Sequence, residues 1–173
     1  MNKKQKSVTV LLCRAGVTAA LYVGLTMAFG SLAYGPLQIR PAEALCILPI
    51  FFPETVFGLF VGCALANLFS GYGAMDIVLG SLATFVAAIA TYGIGRVMKQ
   101  SVVSAFIGGI PPVLVNAIVI PFVIILTSPG ESAEMYWVYF FQIFFTQIVW
   151  VYALGLPLYF GVKRINGKNI YFT

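Results

Sequence analysis

Long apolar runs that contain almost no charged residue are the feature that most restricts this chain. Hydrophobic residues make up 61% of its 173 residues and charged residues only 9%. A soluble domain is about 45–50% apolar and about 25% charged. Because helices satisfy their own backbone hydrogen bonds in lipid, the pattern predicts an all-α integral membrane protein.

Prolines, glycines and polar breaks divide the apolar sequence into six predicted helices within a single membrane domain, residues 1–173. The second helix is too short to cross a hydrocarbon core of about 30 Å at about 1.5 Å per residue. The fifth contains several glycines and prolines and is predicted to be kinked or broken. The predicted helices span about 7–31, 42–52, 54–70, 75–98, 102–126 and 133–160.

Basic residues lie in three places that an even number of crossings puts on one side of the membrane. The positive-inside rule makes that side the cytoplasm, so both termini are predicted to be cytoplasmic. A nucleic-acid site would need a water-exposed basic face, and we expect none. The basic residues are Lys3, Lys4, Lys6 and Arg14, then Arg96 and Lys99, then Lys163, Arg164 and Lys168.

Loop 31–41 precedes the short second helix and is interrupted by glycine and proline. Because that helix cannot reach both interfaces, the loop is expected to dip to membrane depth. Irregular backbone is tolerated there only when it is buried in protein or lines a cavity. The loop is therefore predicted to form a lid or wall of a binding site; the alternative is an ordinary external loop followed by a tilted helix.

One stripe of the first helix carries almost no side chains, since small residues recur every four positions. Such stripes allow another helix to approach closely in lipid. Two interpretations stay open: packing within the bundle, or a face for a separate membrane protein. The stripe comprises Gly16, Ala20, Gly24 and Ala28, with Ala15 and Ala19 beside it.

The sequence contains no histidine, which removes the commonest metal ligand and the commonest general base. It also lacks a paired-aspartate membrane motif and a nucleophile elbow. We therefore expect no catalytic residues, no metal and no cofactor. Cys13, Cys46 and Cys63 lie singly in apolar surroundings and are expected to be buried, inert thiols.

A few polar residues fall at membrane depth, where an ionisable side chain costs about 2.5–3.5 kcal/mol and usually serves a function. Arg40 and Glu43 either pair with one another, or Glu43 offers its carboxylate to a ligand while Arg40 closes over an acceptor. Asp76 opens the fourth predicted helix, and Glu54 the third, where the helix dipole also favours a carboxylate. Asn116 follows two prolines whose freed carbonyls its amide can satisfy.

Glu43, Asn67, Asp76 and Asn116, with nearby aromatic residues, predict an outward-facing pocket. Carboxylate and amide acceptors with flat stacking surfaces suit a planar ligand that is rich in hydrogen-bonding groups and can be cationic. They suit a phosphate poorly, because Arg40 is the only cation.

Several segments, in order along nearly the whole chain, match a known pattern. They are Gly35-Pro-Leu-Gln-Ile-Arg-Pro-Ala-Glu-Ala-Leu45, Phe52-Pro-Glu54, Ala66-Asn-Leu-Phe-Ser-Gly71, Asp76-Ile-Val-Leu-Gly-Ser-Leu-Ala-Thr84, Pro111-Pro-Val-Leu-Val-Asn116 and Gly155-Leu-Pro157. Through them the chain resembles the QueT-type queuosine-precursor transporters, which are S components of energy-coupling factor (ECF) transporters.

The resemblance implies a six-transmembrane-helix bundle of the ECF S-component type, in a bacterial plasma membrane. It implies capture of 7-aminomethyl-7-deazaguanine, 7-cyano-7-deazaguanine or queuine from outside. Uptake would require a membrane scaffold subunit and two cytosolic ATP-binding subunits. Loop 31–41 would be a gate over the ligand, and Ala15 with Ala19 would match the AxxxA pattern that contacts the scaffold.

The resemblance also implies a set of substrate-binding residues. A guanine-like ligand presents an N1–H and an exocyclic amine that the carboxylate of Glu43 or Asp76 can accept, with amides at the remaining edge. Thr146-Gln147 stands where the family often has Gly-Gln. The implied binding residues are Gln38, Arg40, Glu43, Asn67, Asp76, Asn116 and Gln147.

Two functions of other classes stay open at this point. A stand-alone transporter for another vitamin or nucleobase would work without ATP or partners, and an inverted repeat would favour it. The two halves of the chain contain no such repeat. An intramembrane enzyme would need catalytic groups of the kind that this sequence lacks.

Overall fold

The computed structural model describes residues 7–35 and 37–168. Lys3, Lys4, Lys6 and Pro36 lie outside the described residues. All regular structure in the described part is helical. The elements are α1 (Val8–Phe29), α2 (Ser31–Tyr34), the 3₁₀-helix α3 (Pro41–Ile50), α4 (Thr55–Asn67), α5 (Gly73–Val97, with a π-helical turn at Asp76–Gly80), α6 (Val102–Gly108), α7 (Ile110–Thr127) and α8 (Met135–Lys168).

Four helical segments are long and apolar enough to cross a membrane. They are α1, α5, the combined segment Val102–Thr127, and Met135–Ile165 of α8. The two shorter apolar helices are α3 and α4. Six crossings therefore stay a prediction, while an all-helical protein with four candidate spans is what the structure supports.

The most deeply buried element is α3, in which only Leu48 among its ten residues is not buried. It packs against α1, α4, α5, α6 and α8 and so lies at the centre of the bundle. Pro49 lacks an N–H and cannot make the α-helical bond to the residue four positions earlier. A 3₁₀-helix rises about 2.0 Å per residue, so these ten residues reach about 20 Å.

The fifth predicted helix is divided into α6 and α7 at Gly109. Pro111 and Pro112 follow at the first turn of α7, where a missing N–H leaves no helical hydrogen bond unmade. Thr91 Oγ1 donates to the Gly108 carbonyl oxygen at 2.7 Å, which satisfies one acceptor near the break. The break therefore fits the local sequence.

Helix α1 has one face against α4 and one face against no other element. A Cβ atom added at Gly58 would lie 2.5 Å from the Ala15 carbonyl oxygen, and one at Gly62 would lie 3.0 Å from the Ala19 Cα. Ala15 and Ala19 thus border α4 within this chain and are half-buried. This contact explains small residues at both positions; binding of a scaffold subunit there stays a prediction.

The opposite face of α1 is exposed along its length. Gly16, Ala20, Gly24 and Ala28 are all exposed, and no neighbouring atom lies within 4 Å of a Cβ built at Gly16 or Gly24. Of the two interpretations of the small residues in α1, internal packing therefore applies to the side facing α4. The exposed stripe has no packing role among the described residues.

Gly58→Ala is expected to lower the free energy of unfolding by about 1–3 kcal/mol, because the added methyl group overpacks the backbone contact between α1 and α4. Gly24→Ala is the matched control. Its Cβ meets open space, and alanine favours a helix over glycine by about 1 kcal/mol. Thermal unfolding of the purified protein in detergent compares the two; equal melting temperatures would contradict the close contact.

Candidate functional site

All seven polar residues predicted to bind a ligand are buried, each at most 3% exposed. The hydrogen bonds of Arg40, Glu43, Asn67 and Asp76 lie at the end of the bundle where α1 ends, α4 ends and α5 begins. Two groups of contacts form there, one around Arg40, Asn67 and Asp76 and the other around Glu43. We call them together the polar cluster.

Arg40 connects loop 31–41 to α5. Its Nε donates to the Ala33 carbonyl oxygen at 2.8 Å, and its Nη2 lies 3.4 Å from Asp76 Oδ2 as a buried ion pair. The guanidinium also lies over the Tyr34 ring, 5.4 Å from its centroid. The suggested pairing of Arg40 with Glu43 is therefore wrong. Arg40 precedes α3 with φ −118° and ψ 86°, so its side chain does not share a helical face with Glu43.

Asn67 holds the backbone of Asp76 in place. Its Nδ2 donates to the Asp76 carbonyl oxygen at 2.8 Å, which fixes the orientation of the amide. The other amide atom, Asn67 Oδ1, has no hydrogen-bond partner, and neither has Asp76 Oδ1. Two buried acceptors therefore lie unsatisfied on residues that contact one another.

The π-helical turn and a glycine create the space for these acceptors. A Cβ atom at Gly80 would lie 2.7 Å from both Asn67 Nδ2 and Asp76 Oδ1. Ser81, the residue after the turn, donates from its Oγ to the Ile77 carbonyl oxygen at 2.5 Å. Single π turns occur frequently at functional sites. Asp76 was expected to open its helix, and it lies in the first turn after Gly73, where the helix dipole also favours a carboxylate.

Glu43 has its carboxylate fully engaged by neighbours in the chain. Tyr22 Oη donates to Oε1 at 2.5 Å, and Cys46 Sγ donates to Oε2 at 3.3 Å. Each oxygen of Glu43 can still accept a second hydrogen bond. Asp76 differs from Glu43, because its Oδ1 has no hydrogen-bond partner at all. Tyr22 was not among the residues predicted from the sequence. The sequence pattern that could have identified it is the spacing of four residues between Thr18, Tyr22 and Thr26, which places three polar side chains on one buried face of α1.

The charge of Arg40 acts on Asp76, Tyr22, Cys63 and Glu43. The two groups of contacts therefore form one electrostatic unit, and the Cys63 thiol joins them because it contacts both Tyr22 and Asn67. Cys63 lies between Asn67 Nδ2 at 3.6 Å and Thr84 Oγ1 at 3.3 Å. Cys46 and Cys63 are buried as expected, whereas Cys13 is exposed, which corrects the expectation for that residue.

Gln38 lies in the loop with a buried side chain and a left-handed backbone, φ 48°. This conformation costs a non-glycine residue about 1–2 kcal/mol. Its Nε2 has no hydrogen-bond partner. A strained residue with an unsatisfied buried donor is typical of a functional position.

Asn116 and Gln147 lie buried on α7 and α8. No hydrogen bond in the described part of the chain joins them to the polar cluster, and Gln147 Oε1 has no partner. Tyr72 packs against the apolar group on α7 and α8 that contains Ala117 and Ile120. Burial, and next the Asp76 carboxylate, raise the pKa of Tyr72.

A second ion pair lies near the start of α1. Arg14 Nη1 and Glu54 Oε1 are 3.0 Å apart, and the guanidinium lies over the Phe52 ring at 4.6 Å. Glu54 immediately precedes α4, where the helix dipole was predicted to favour its carboxylate, and the structure adds an ion pair with Arg14. This pair is partly exposed and stands apart from the polar cluster.

Unsatisfied buried polar atoms are few in native proteins, and each one calls for an explanation. Gln38, Asn67, Asp76 and Gln147 each have one. In residues 7–35 and 37–168, no three His, Cys, Asp or Glu side chains come together as a metal-ligand group. The structure thus combines helices long enough to span a membrane with unsatisfied polar atoms buried inside the bundle, and polar groups at membrane depth usually serve a function.

The family model of the QueT transporter matches residues 12–164. The match covers most of the chain, and the protein therefore belongs to the QueT transporter family. Comparisons with curated proteins and with solved structures gave no match. The family confirms the resemblance and identifies a membrane transporter of a small solute.

Proposed function

We propose that this protein is the substrate-binding membrane subunit of an ECF-type ABC importer in a bacterial plasma membrane. Its substrate is a queuosine precursor: 7-aminomethyl-7-deazaguanine, 7-cyano-7-deazaguanine or queuine. A membrane scaffold subunit and two cytosolic ATP-binding subunits complete the importer. The observation that carries the proposal is the pair of unsatisfied buried acceptors, Asn67 Oδ1 and Asp76 Oδ1.

A guanine-like ring suits these acceptors because it presents two adjacent donors, the N1–H and the exocyclic amine. Asp76 Oδ1 accepts one of them and Asn67 Oδ1 the other, and the Gln38 amide donates to an acceptor on the ring. Each bond satisfies an atom that otherwise costs about 1–3 kcal/mol through unpaired burial. Asn116 and Gln147 supply further amides from α7 and α8.

Access from outside follows from the distribution of charge. If the three basic segments are cytoplasmic, the loops after α1 and α4 are external, and both adjoin the polar cluster. The loop after α1 is held over it by two bonds, Ile39 N to the Leu32 carbonyl at 3.0 Å and Tyr34 Oη to the Ala66 carbonyl at 2.6 Å. It therefore acts as the gate through which the ligand enters.

The exposed stripe of α1 is the proposed contact for the scaffold subunit. Small side chains at Gly16, Ala20, Gly24 and Ala28 let a second helix approach closely, and dispersion packing drives helix association in lipid. Ala15 and Ala19, which the family pattern suggests, lie at the border of this stripe and contact α4 as well.

Titration calorimetry of the purified full-length protein with the three precursors tests the substrate. Saturable binding of at least one precursor, with guanine as a competitor, is the expected result. Binding of riboflavin, thiamine or biotin with no binding of a precursor would reject the substrate assignment.

Gly80→Ala is expected to weaken precursor binding by about tenfold or more, equivalent to at least about 1.4 kcal/mol. Its Cβ would occupy the space next to Asn67 Nδ2 and Asp76 Oδ1 and would displace the Asn67 amide and the Asp76 carboxylate. Gly93→Ala on the same helix is the control, because its Cβ meets no atom within 4 Å. Calorimetry on both variants gives the comparison, and equal affinities would place the ligand elsewhere.

A further inference from the structure

A short segment between α1 and α3 lies over the polar cluster. We call α2 together with residues 37–40 the lid. On its outer side Leu32 and Leu37 are exposed, whereas on its inner side Ala33 is 0% and Gln38 1% exposed. The route from this end of the bundle to the polar cluster therefore leads past the lid.

The lid is joined to α1 by one glycine and makes little apolar contact of its own. Gly30 is the single residue between α1 and α2, and its φ of 49° and ψ of −127° form a conformation that residues with a side chain rarely adopt. Only Ala33 among the four residues of α2 is buried. Because a segment with few buried apolar contacts has low local stability, the position of α2 depends on individual hydrogen bonds.

Two side-chain hydrogen bonds hold α2 in place. Arg40 Nε donates to the Ala33 carbonyl oxygen at 2.8 Å, and Tyr34 Oη donates to the Ala66 carbonyl oxygen, near the end of α4, at 2.6 Å. Arg40 also pairs with Asp76 and so belongs to the polar cluster as well as to the lid. The bond from Tyr34 joins α2 to the backbone of α4, so it can be removed without changing a side chain of the cluster.

Tyr34 lies beside the residues that are proposed to bind the ligand, but it does not use their free atoms. Ala66 directly precedes Asn67, and the Tyr34 ring lies 5.4 Å from the Arg40 guanidinium. Asn67 Oδ1 and Asp76 Oδ1 nevertheless have no hydrogen-bond partner. Loss of the Tyr34 hydroxyl therefore loosens the lid and keeps the two acceptors.

We infer that Tyr34 is the latch of the lid: its hydroxyl holds the lid closed and so sets the rates at which the ligand enters and leaves. The role in ligand exchange rests on the proposed function, whereas the role in closing the lid does not. If the bond stabilises the closed lid equally with and without ligand, its loss raises the open fraction of both forms by the same factor. Both rates then rise, and their ratio, the affinity, stays the same.

Thiol labelling of the protein without ligand tests the latch. Ala33→Cys places a thiol on the buried side of α2, in a Cys13→Ser background because Cys13 is exposed. A small water-soluble thiol reagent then reacts when the lid opens. Adding Tyr34→Phe is expected to raise the labelling rate about threefold to tenfold, the change in an equilibrium that a single net hydrogen bond gives.

Tyr136→Phe is the matched control. It also removes a hydroxyl that donates to a backbone carbonyl oxygen of another helix, in this case Ile118 at 3.0 Å, and Tyr136 is not part of the lid. Its labelling rate is expected to equal that of the background protein. A Tyr34→Phe rate no higher than that of this control would overturn the latch.

Binding kinetics of Tyr34→Phe in the otherwise unmodified protein give the second test. Surface plasmon resonance with the tightest-binding precursor is expected to show association and dissociation both faster by about threefold to tenfold, with the affinity close to that of wild type. Weaker affinity with an unchanged association rate would overturn the inference, because Tyr34 would then contact the ligand itself. Failure of every precursor to bind would reject the proposed function, and thiol labelling would still decide whether Tyr34 closes the lid.

Discussion

Asp76→Asn is expected to weaken precursor binding by about a hundredfold or more. The substitution removes the carboxylate that pairs with Arg40 and offers a free oxygen to the ligand. It also leaves a buried guanidinium without its counter-ion, and breaking a buried pair from one side costs about 3–5 kcal/mol. Titration calorimetry with the tightest-binding precursor measures the effect.

The loss of the ion pair can also affect folding, and a double variant separates the two consequences. Arg40→Gln combined with Asp76→Asn removes both charges, and replacing both partners is often close to neutral for stability. We expect the double variant to melt at a higher temperature than Asp76→Asn alone, yet to bind precursor no better. Affinity within threefold of wild type in either folded variant would remove Asp76 from the site.

The second large effect is expected at the exposed stripe of α1. Ala20→Leu is expected to abolish co-purification with the scaffold subunit, because an isobutyl group on this face keeps a second helix at a distance. Ligand binding by the isolated variant should stay at the wild-type level, since Ala20 is exposed and has no part in the polar cluster.

The control is Ala153→Leu, the same substitution at an exposed position of α8. It should keep the assembly intact. Ala19→Leu is a less specific variant, because Ala19 borders α4 at Gly62 and a large side chain there also disturbs folding. Normal assembly of Ala20→Leu would show that the scaffold uses another surface.

Burial of the polar residues could be predicted from the sequence, but their partners could not. A polar side chain at membrane depth avoids lipid because exposure there is costly, and all seven predicted residues are indeed buried. Arg40 pairs with Asp76 because the packing of α5 against α4 places the start of α5 next to loop 31–41. Proximity to Glu43 in the sequence gave no information on this tertiary arrangement.

Backbone geometry was the other part that sequence patterns did not predict. The segment before α4 was predicted to be a helix too short to cross the membrane, but its 3₁₀ form and the burial of nearly all its residues were not predicted. The π-helical turn at Asp76–Gly80, which packs against α4 and α7, was not predicted either. Tyr22 was missed because α1 was interpreted only through its small residues.

Uptake of a labelled precursor into proteoliposomes tests the central claim most directly. Vesicles that contain this protein with its scaffold and ATP-binding subunits are compared with vesicles that contain this protein alone, each with and without internal ATP. The account predicts accumulation only when all subunits and ATP are present. Accumulation by this protein alone, without ATP, would contradict the account and would identify a stand-alone transporter.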